Sequence, residues 1–187
     1  MEKMIIDADL CIKLGASSKY KCLEEILPQL TDHIYMHKVA FEEVKAPESA
    51  KQQLNRLIET GVLTIVDDVD LPELEAQVYE MTRQQLSNRM IDRRHPRKNR
   101  GEVCALAYAK ATGIPIFATD EMNLQQIIDS VLNVGLGEDI RCFRIKDIVE
   151  KIKRGETSYQ RKEARLIWRL AGKNKETFDA KIWPIEE

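Results

Sequence analysis

The sequence has few of the residues on which disulfide-rich or zinc-binding proteins depend. Its four cysteines stand far apart among apolar residues, without a C-x-x-C pair: Cys11, Cys22, Cys104 and Cys142. This pattern predicts reduced core thiols in a cytoplasmic protein rather than a disulfide framework or a zinc site. The three histidines show no metal-ligand spacing either: His33, His37 and His95.

Long apolar runs are also missing. No run approaches the roughly 20 residues that a membrane-spanning helix needs. The opening MEKMIIDADL lacks the extended apolar region of a signal peptide. With 43% hydrophobic and 32% charged residues, the composition predicts a protein with a substantial core and no membrane partner.

A net charge of −2 conceals an uneven distribution. Residues 89–100, RMIDRRHPRKNR, carry six Lys or Arg against one Asp, and residues 151–187 carry ten Lys or Arg against six Asp or Glu. The remainder of the chain is therefore strongly acidic. Two basic patches on an acidic body favour a polyanionic partner, although two solvated surfaces would give the same pattern.

Short apolar segments alternate with longer segments of helical period. Strands are predicted at 4–7, 33–37, 62–66, 114–119 and 140–145, and helices at 20–30, 38–46, 47–61, 71–90, 101–113, 121–133 and 146–155. This alternation predicts an α/β fold in which helices cover both faces of a central, mainly parallel sheet, as in a three-layer α/β/α sandwich. We expect one domain over 1–154 and a basic amphipathic extension over 155–187.

Acidic residues fall where a parallel sheet places its ligands, outside the carboxyl ends of the strands. Asp7 and Asp120 each follow a predicted strand, and Glu102 lies in the first turn of the 101–113 helix. Glu43 flanks the apolar stripe of the 38–46 helix, with Glu42 as the alternative. Each acid also has a simpler explanation: a helix cap for the two aspartates, a favourable helix dipole for Glu102, and surface charge for the other two.

Four carboxylates on separate elements at one sheet edge would repel one another and raise one another's pKa. Such a cluster is stabilised where a divalent cation neutralises it, and oxygen ligands with water suit Mg²⁺ or Mn²⁺ better than zinc. The nearby Asp9 is expected to be a cap or a surface residue.

Four stretches carry a family resemblance: MIIDADLCIKLG, AFEEV, GEVCALAYAKATGIPIFATDEMNLQQI and RCFRIKDIVEKI. Over roughly residues 3–153 the chain resembles the PIN-domain family. The resemblance implies a three-layer sandwich and a ribonuclease that uses Mg²⁺ or Mn²⁺, with toxins of toxin–antitoxin pairs among the family's members. Glu102 stands where the family often has Asp, and the linker 84–100 is longer and more basic than in compact toxin members.

The resemblance also implies roles for individual residues. The catalytic and metal-binding acids would be Asp7, Glu43 (or Glu42), Glu102 and Asp120. Thr119 or Asn123 would hydrogen-bond one of these acids, unless it is a cap or a surface residue. The basic loop would contact RNA phosphates without reading sequence, through Arg93, Arg94, Arg97, Lys98 and Arg100.

Two other functions fit parts of the sequence. DADLC has the D-x-D spacing of haloacid-dehalogenase-like phosphatases, but the glycine-rich late motif of those enzymes is missing. The chain could also be a non-catalytic module of the same fold that binds RNA or a protein. Metal-dependent cleavage of RNA, compared with hydrolysis of a small phosphate ester, separates the three.

The extension after Gly155 contains a predicted amphipathic helix that ends at Gly172, and Trp183 follows near the chain end. Its aliphatic and tryptophan side chains are costly to leave in water, at about 25 cal/mol per Å² of apolar area. The extension therefore either packs on its own domain or meets a second copy or a protein partner.

Overall fold

The computed structural model describes residues 3–92, 94–135 and 138–184. Its centre is a five-stranded sheet in which every pair of neighbours is parallel and the order is β3-β2-β1-β4-β5. The strands are β1 Met4–Ile6, β2 Ile34–His37, β3 Leu63–Val66, β4 Ile116–Ala118 and β5 Arg141–Phe143. All five predicted strands are present, and the predicted α/β fold with helices flanking a parallel sheet is confirmed.

Helices fill the intervals between the strands. They are α1 Ala8–Leu14, α2 Cys22–Leu30, α3 Lys38–Glu43, α4 Glu48–Glu59, α5 Glu73–Met90, α6 Arg100–Thr112, α7 Leu124–Val131, α8 Ile145–Lys153, α9 Arg161–Leu170 and α10 Lys175–Thr177. Among the described residues, no helix is both long enough and apolar enough to cross a membrane.

Helix boundaries differ from the prediction at two places that matter for the site. Helix α1, which was not predicted, is separated from β1 by Asp7 alone. Its seven residues are too few to give a clear helical period in the sequence. Helix α7 begins at Leu124 rather than at Glu121, because residues after Asp120 first form a turn. Asp120 is therefore not the cap of the following helix, whose cap position is Asn123.

The sheet separates two apolar layers because successive side chains of a strand point to opposite faces. On one face, Met4 and Ile6 pack with residues of α1, α2, α4, α8 and α9. On the other, Ile5 and Phe117 pack with residues of α5, α6 and α7. The layers hold the strands rigidly, so their carboxyl ends form a fixed edge on which functional side chains can be placed.

The C-terminal segment 161–184 packs on this domain's own core. Helix α9 lies against α8, and Ala164, Ile167, Trp168 and Phe178 are buried in the first apolar layer. The indole Nε1 of Trp168 donates to the carbonyl of Asn174 at 2.8 Å, which fixes the turn that follows α9. The segment is thus held beside the sheet edge where the acids lie.

Candidate functional site at the carboxyl edge of the sheet

Asp7 and Asp120 follow neighbouring strands, β1 and β4, which pair in parallel. The chain leaves β1 toward β2 and β3 on one side and returns to β4 on the other, so the strand order reverses between β1 and β4. Open parallel sheets bind ligands in the crevice formed at such a reversal. The structure therefore places both aspartates where the fold provides a site.

The Asp7 carboxylate is held on both of its oxygens. It is 1% exposed, and Oδ1 accepts a hydrogen bond from the Ala8 N–H at 2.6 Å, which makes Asp7 the N-cap of α1. The Thr119 hydroxyl donates to Oδ2 at 3.3 Å. Capping accounts for one oxygen only, so the cap role is compatible with a functional role. Of the two predicted roles of Thr119, the structure shows both: its hydroxyl donates to Asp7 and accepts from the Glu121 N–H at 3.2 Å.

Electrostatics near Asp7 show that other acids converge on it. Burial, followed by the charge of Glu102, raises its pKa well above the ordinary value, and Asp9 and Glu43 add to this effect. The hydrogen bond from Ala8 opposes the shift without reversing it. A buried carboxylate with raised pKa and like-charged neighbours marks a place where a cation would be stabilised.

Glu102 joins this group from the first turn of α6. Burial raises its pKa, and the charges of Glu43, Glu121 and Asp9 raise it further. A cavity of about 150 Å³ lies beside it, lined also by Glu121 and Asn123. This volume accommodates several water molecules at about 30 Å³ each, so the carboxylate has access to solvent.

Glu43 reaches the group because position 101 has no side chain. Its Oε1 accepts a hydrogen bond from the Gly101 N–H at 3.0 Å. A Cβ at position 101 would collide with Oε2 of Glu43 and come within 3.2 Å of the Ala40 Cα. Burial raises the pKa of Glu43, partly offset by Gly101 and by the charge of Arg100. Glu42 is exposed and acts electrostatically on His37 instead.

Asp120 is compensated in a way that the sequence did not indicate. Lys13 and Lys173 place their Nζ atoms 3.1 Å and 3.0 Å from the same oxygen, Oδ2. Lys13 also pairs with Asp9 at 2.7 Å. The Asp120 side chain is only 3% exposed, and its Oδ1 is buried with no hydrogen-bond partner among the residues that the structure describes. One oxygen is thus neutralised by ammonium groups, while the other remains available to a donor or a cation.

The basic loop lies on the Glu43 side of the acids. Arg94, Arg97 and Lys98 are exposed, and Arg93 lies outside the described residues. Arg100 begins α6 and lowers the pKa of Glu43 through its charge. The loop is therefore accessible to a polyanion, and Arg100 lies close to the predicted acids.

A second cluster lies farther along the same edge, beyond the ends of β2 and β3. His37, Asp67 and Asp68 have ligand atoms within 4.8 Å of one another and could hold a metal ion. The His37 Nε2 is buried, has no hydrogen-bond partner within the described part of the chain, and lies 3.7 Å from Asp68 Oδ1. The histidine spacing in the sequence gave no sign of this cluster, because its members come together only in the fold.

Hydrogen bonding around His37 makes a metal less favourable there. Its Nδ1 accepts from the Val39 N–H at 3.2 Å and caps α3, so the neutral ring carries its proton on Nε2. Binding a metal through Nε2 would require moving that proton and losing the cap. Lys38 already pairs with Asp67 at 2.8 Å. Asp7 and Asp120 were found by looking for polar residues at the ends of strands. The same search at the ends of β2 and β3 would have found His37, Asp67 and Asp68.

The predicted acids fit a hydrated cation better than a dehydrated one. Within the described residues, only His37, Asp67 and Asp68 bring three such ligand atoms within 4.8 Å. In the described structure, no three of Asp7, Glu43, Glu102 and Asp120 bring their ligand atoms that close together. Mg²⁺ keeps several of its waters and is typically bound through one or two carboxylates. The oxygen-only donor set and the unpartnered Oδ1 of Asp120 suit that mode.

Comparison of the chain with protein-family models, with curated proteins and with solved structures found no match. The resemblance to PIN domains therefore stays a prediction.

Proposed function

We propose that the chain is a ribonuclease of the PIN type that hydrolyses RNA phosphodiester bonds with Mg²⁺ or Mn²⁺ at the carboxyl edge of the sheet. One observation carries the proposal. Asp7, Glu43 and Glu102 come from three separate parts of the fold, and burial together with the charges of Glu102 and Glu43 raises the pKa of Asp7. Uncompensated carboxylates of this kind are costly unless a cation binds them.

In this proposal the chain's own residues hold and orient the site. Ala8 and Thr119 fix the Asp7 carboxylate, and Gly101 fixes that of Glu43. A cation bound there would lower the pKa of a water and stabilise negative charge on the scissile phosphate. The exposed basic loop would hold the RNA backbone. The buried free thiols of Cys11, Cys22 and Cys104 agree with a reducing compartment such as the cytoplasm.

The test is cleavage of single-stranded RNA with Mn²⁺ or Mg²⁺, compared with the same reaction in EDTA. We expect cleavage that stops in EDTA and is lost in Asp7→Asn and Glu102→Gln. The matched control is Glu59→Gln, an exposed acid at the end of α4, which leads to the opposite edge of the sheet. It should cleave as the unmodified protein does.

Other outcomes decide against the proposal. Cleavage that persists in EDTA would exclude a metal-dependent nuclease. Hydrolysis of p-nitrophenyl phosphate without RNA cleavage would favour the phosphatase. RNA binding without hydrolysis of either substrate would favour the non-catalytic module.

A further inference from the structure

The C-terminal segment supplies a side chain to the carboxylate site. Lys173, in the turn after α9, places its Nζ 3.0 Å from Asp120 Oδ2, beside the Nζ of Lys13 at 3.1 Å. Because both ammonium groups pair with Oδ2, the negative charge of Asp120 is compensated, although Oδ1 has no hydrogen-bond partner among the described residues. A phosphate can therefore approach this side of the site without the repulsion that the Asp7 side would exert.

Lys173 has hydrogen-bonding capacity left over. An ammonium group carries three N–H donors. Within the described residues, Lys13 contacts two carboxylates, Asp9 and Asp120, whereas Lys173 contacts one and lies 5.5 Å from the centre of the Trp168 ring. The Lys173 side chain is 24% exposed. It is thus able to bind an anionic oxygen while it remains paired with Asp120.

The outer face of α9 continues this positive charge away from the site. The helix buries Ala164, Ile167 and Trp168. Its opposite side forms a groove of about 570 Å³ lined by Tyr20, Arg161, Lys162, Glu163, Arg165, Leu166 and Arg169. The groove runs along a helix about 15 Å long, at about 1.5 Å per residue, and the chain leaves that helix toward Lys173.

The cations of this groove divide into two kinds. Arg161 and Arg165 pair with Asp179 at 2.6 Å and 2.5 Å and so hold the segment together. Lys162 and Arg169 are exposed, and neither has an ion-pair partner in the part of the chain that the structure describes. Tyr20 is 42% exposed beside them. Free cations with an accessible aromatic ring are the combination that binds single-stranded nucleic acid.

We infer that a single-stranded RNA reaches the carboxylate site over the C-terminal segment. Lys162 and Arg169 contact backbone phosphates, Tyr20 stacks on a base, and Lys173 binds the phosphate next to the site. This inference rests on the proposed function for the identity of the ligand. It adds an RNA path on the Asp120 side of the acids, in addition to the contacts of the basic loop.

Binding is measured without catalysis, so that it is separable from cleavage. The probe is a labelled single-stranded RNA of about 12 nucleotides, within the range that such grooves bind. Its affinity for Asp7→Asn protein is followed in EDTA by fluorescence anisotropy at several salt concentrations. Point variants are used because Ile167, Trp168 and Phe178 belong to the core, so deletion of the segment would expose it.

In this background, Lys162→Ala with Arg169→Ala should weaken binding several-fold. The slope of log affinity against log salt should fall by about 1.4, at about 0.7 per phosphate contact for a single strand. Lys173→Met should lower the slope by about half as much, and Tyr20→Ala should lower affinity without changing the slope. The control pair is Lys3→Ala with Lys110→Ala, which precede β1 and end α6 at the opposite edge of the sheet.

Equal slopes for the Lys162/Arg169 pair and the control pair would overturn the inference, even if the protein cleaves RNA. A reduced slope for the first pair alone would support it. If that slope change occurs in a protein that does not cleave RNA with Mn²⁺, the path is correct and the proposed ribonuclease activity is wrong.

Discussion

Two acidic clusters lie along one edge of the sheet and differ in how their charge is compensated. In the central cluster, Asp7 is buried and Glu102 half-buried, and their pKa values are raised first by burial and then by neighbouring carboxylates. In the outer cluster, Lys38 lowers the pKa of Asp67, and burial lowers that of His37. The same edge thus holds one cluster short of positive charge and one that is internally paired.

This difference identifies the cluster with more to gain from a cation. The ligand atoms of the outer cluster lie closer together, within 4.8 Å, but Lys38 already pairs with Asp67, and the Nε2 of His37 carries a proton because Nδ1 caps α3. The central cluster is wider, yet its carboxylates repel one another and are fixed by hydrogen bonds to Ala8, Thr119 and Gly101. The balance of charge therefore indicates which cluster a cation would stabilise better than the distances between ligand atoms do.

The largest expected difference between the clusters is in catalysis. Asp7→Asn should lower the rate of RNA cleavage by more than about a hundredfold, beyond what loss of a residue that only supports a ligand typically costs. Asp68→Asn should lower it by less than about tenfold, because the outer cluster is not expected to hold the catalytic cation. Single-turnover cleavage with Mn²⁺ measures both. A greater loss in Asp68→Asn would reverse the assignment of the clusters.

The second prediction concerns the close contact between Gly101 and the Glu43 carboxylate. Gly101→Ala should destabilise the protein by about 1 kcal/mol, at the low end of the usual cost of overpacking, because the new Cβ displaces the Glu43 carboxylate, which ends a flexible side chain and can move. In a Glu43→Ala background the same change should cost less, since the nearest remaining atom is the Ala40 Cα at 3.2 Å. Denaturant unfolding of the four proteins in this double-mutant cycle gives the coupling. Equal costs in both backgrounds would show that Glu43 does not occupy this place.

Most of the fold, but only part of the site, could be predicted from sequence. The strands are short apolar runs bounded by Gly, Pro and polar residues, and Asp7 and Asp120 directly follow two of them. The partners of Asp120 could not be predicted, because Lys13 is 107 positions away and nothing local in the sequence marks such a contact. The His37 cluster was missed for a different reason: its residues lie at or just beyond the ends of β2 and β3, where the search that found Asp7 and Asp120 was not applied.

The third prediction follows from the raised pKa of Asp7. Its folded pKa lies above the ordinary 3.8, so its contribution to stability is fully present below about pH 3.8 and is lost as pH rises through the folded value. In metal-free protein, Asp7→Asn should therefore melt higher than the unmodified protein at pH 8, and the gap should narrow on acidification. Melting in EDTA across this range measures it. A variant less stable at pH 8 would show that the carboxylate acts mainly as the cap of α1.

The smallest expected effect is the opposite pH dependence of the outer cluster. Burial lowers the pKa of His37 below 6.5, so the stability due to its neutral form is present above pH 6.5 and is lost as pH falls through the lowered value. His37→Asn keeps an acceptor able to cap α3 but cannot titrate. In an Asp7→Asn background, where the opposing effect of Asp7 is removed, this variant should show a shallower decline in Tm from pH 7 to pH 5. The control is His33→Asn, which changes an exposed histidine and should leave the decline unchanged.

The measure is the slope of Tm against pH rather than Tm itself, because loss of the imidazole between Tyr79 and Tyr108 also lowers Tm at every pH. An unchanged slope would mean that His37 does not become charged in this range and that the two clusters do not respond oppositely to acid.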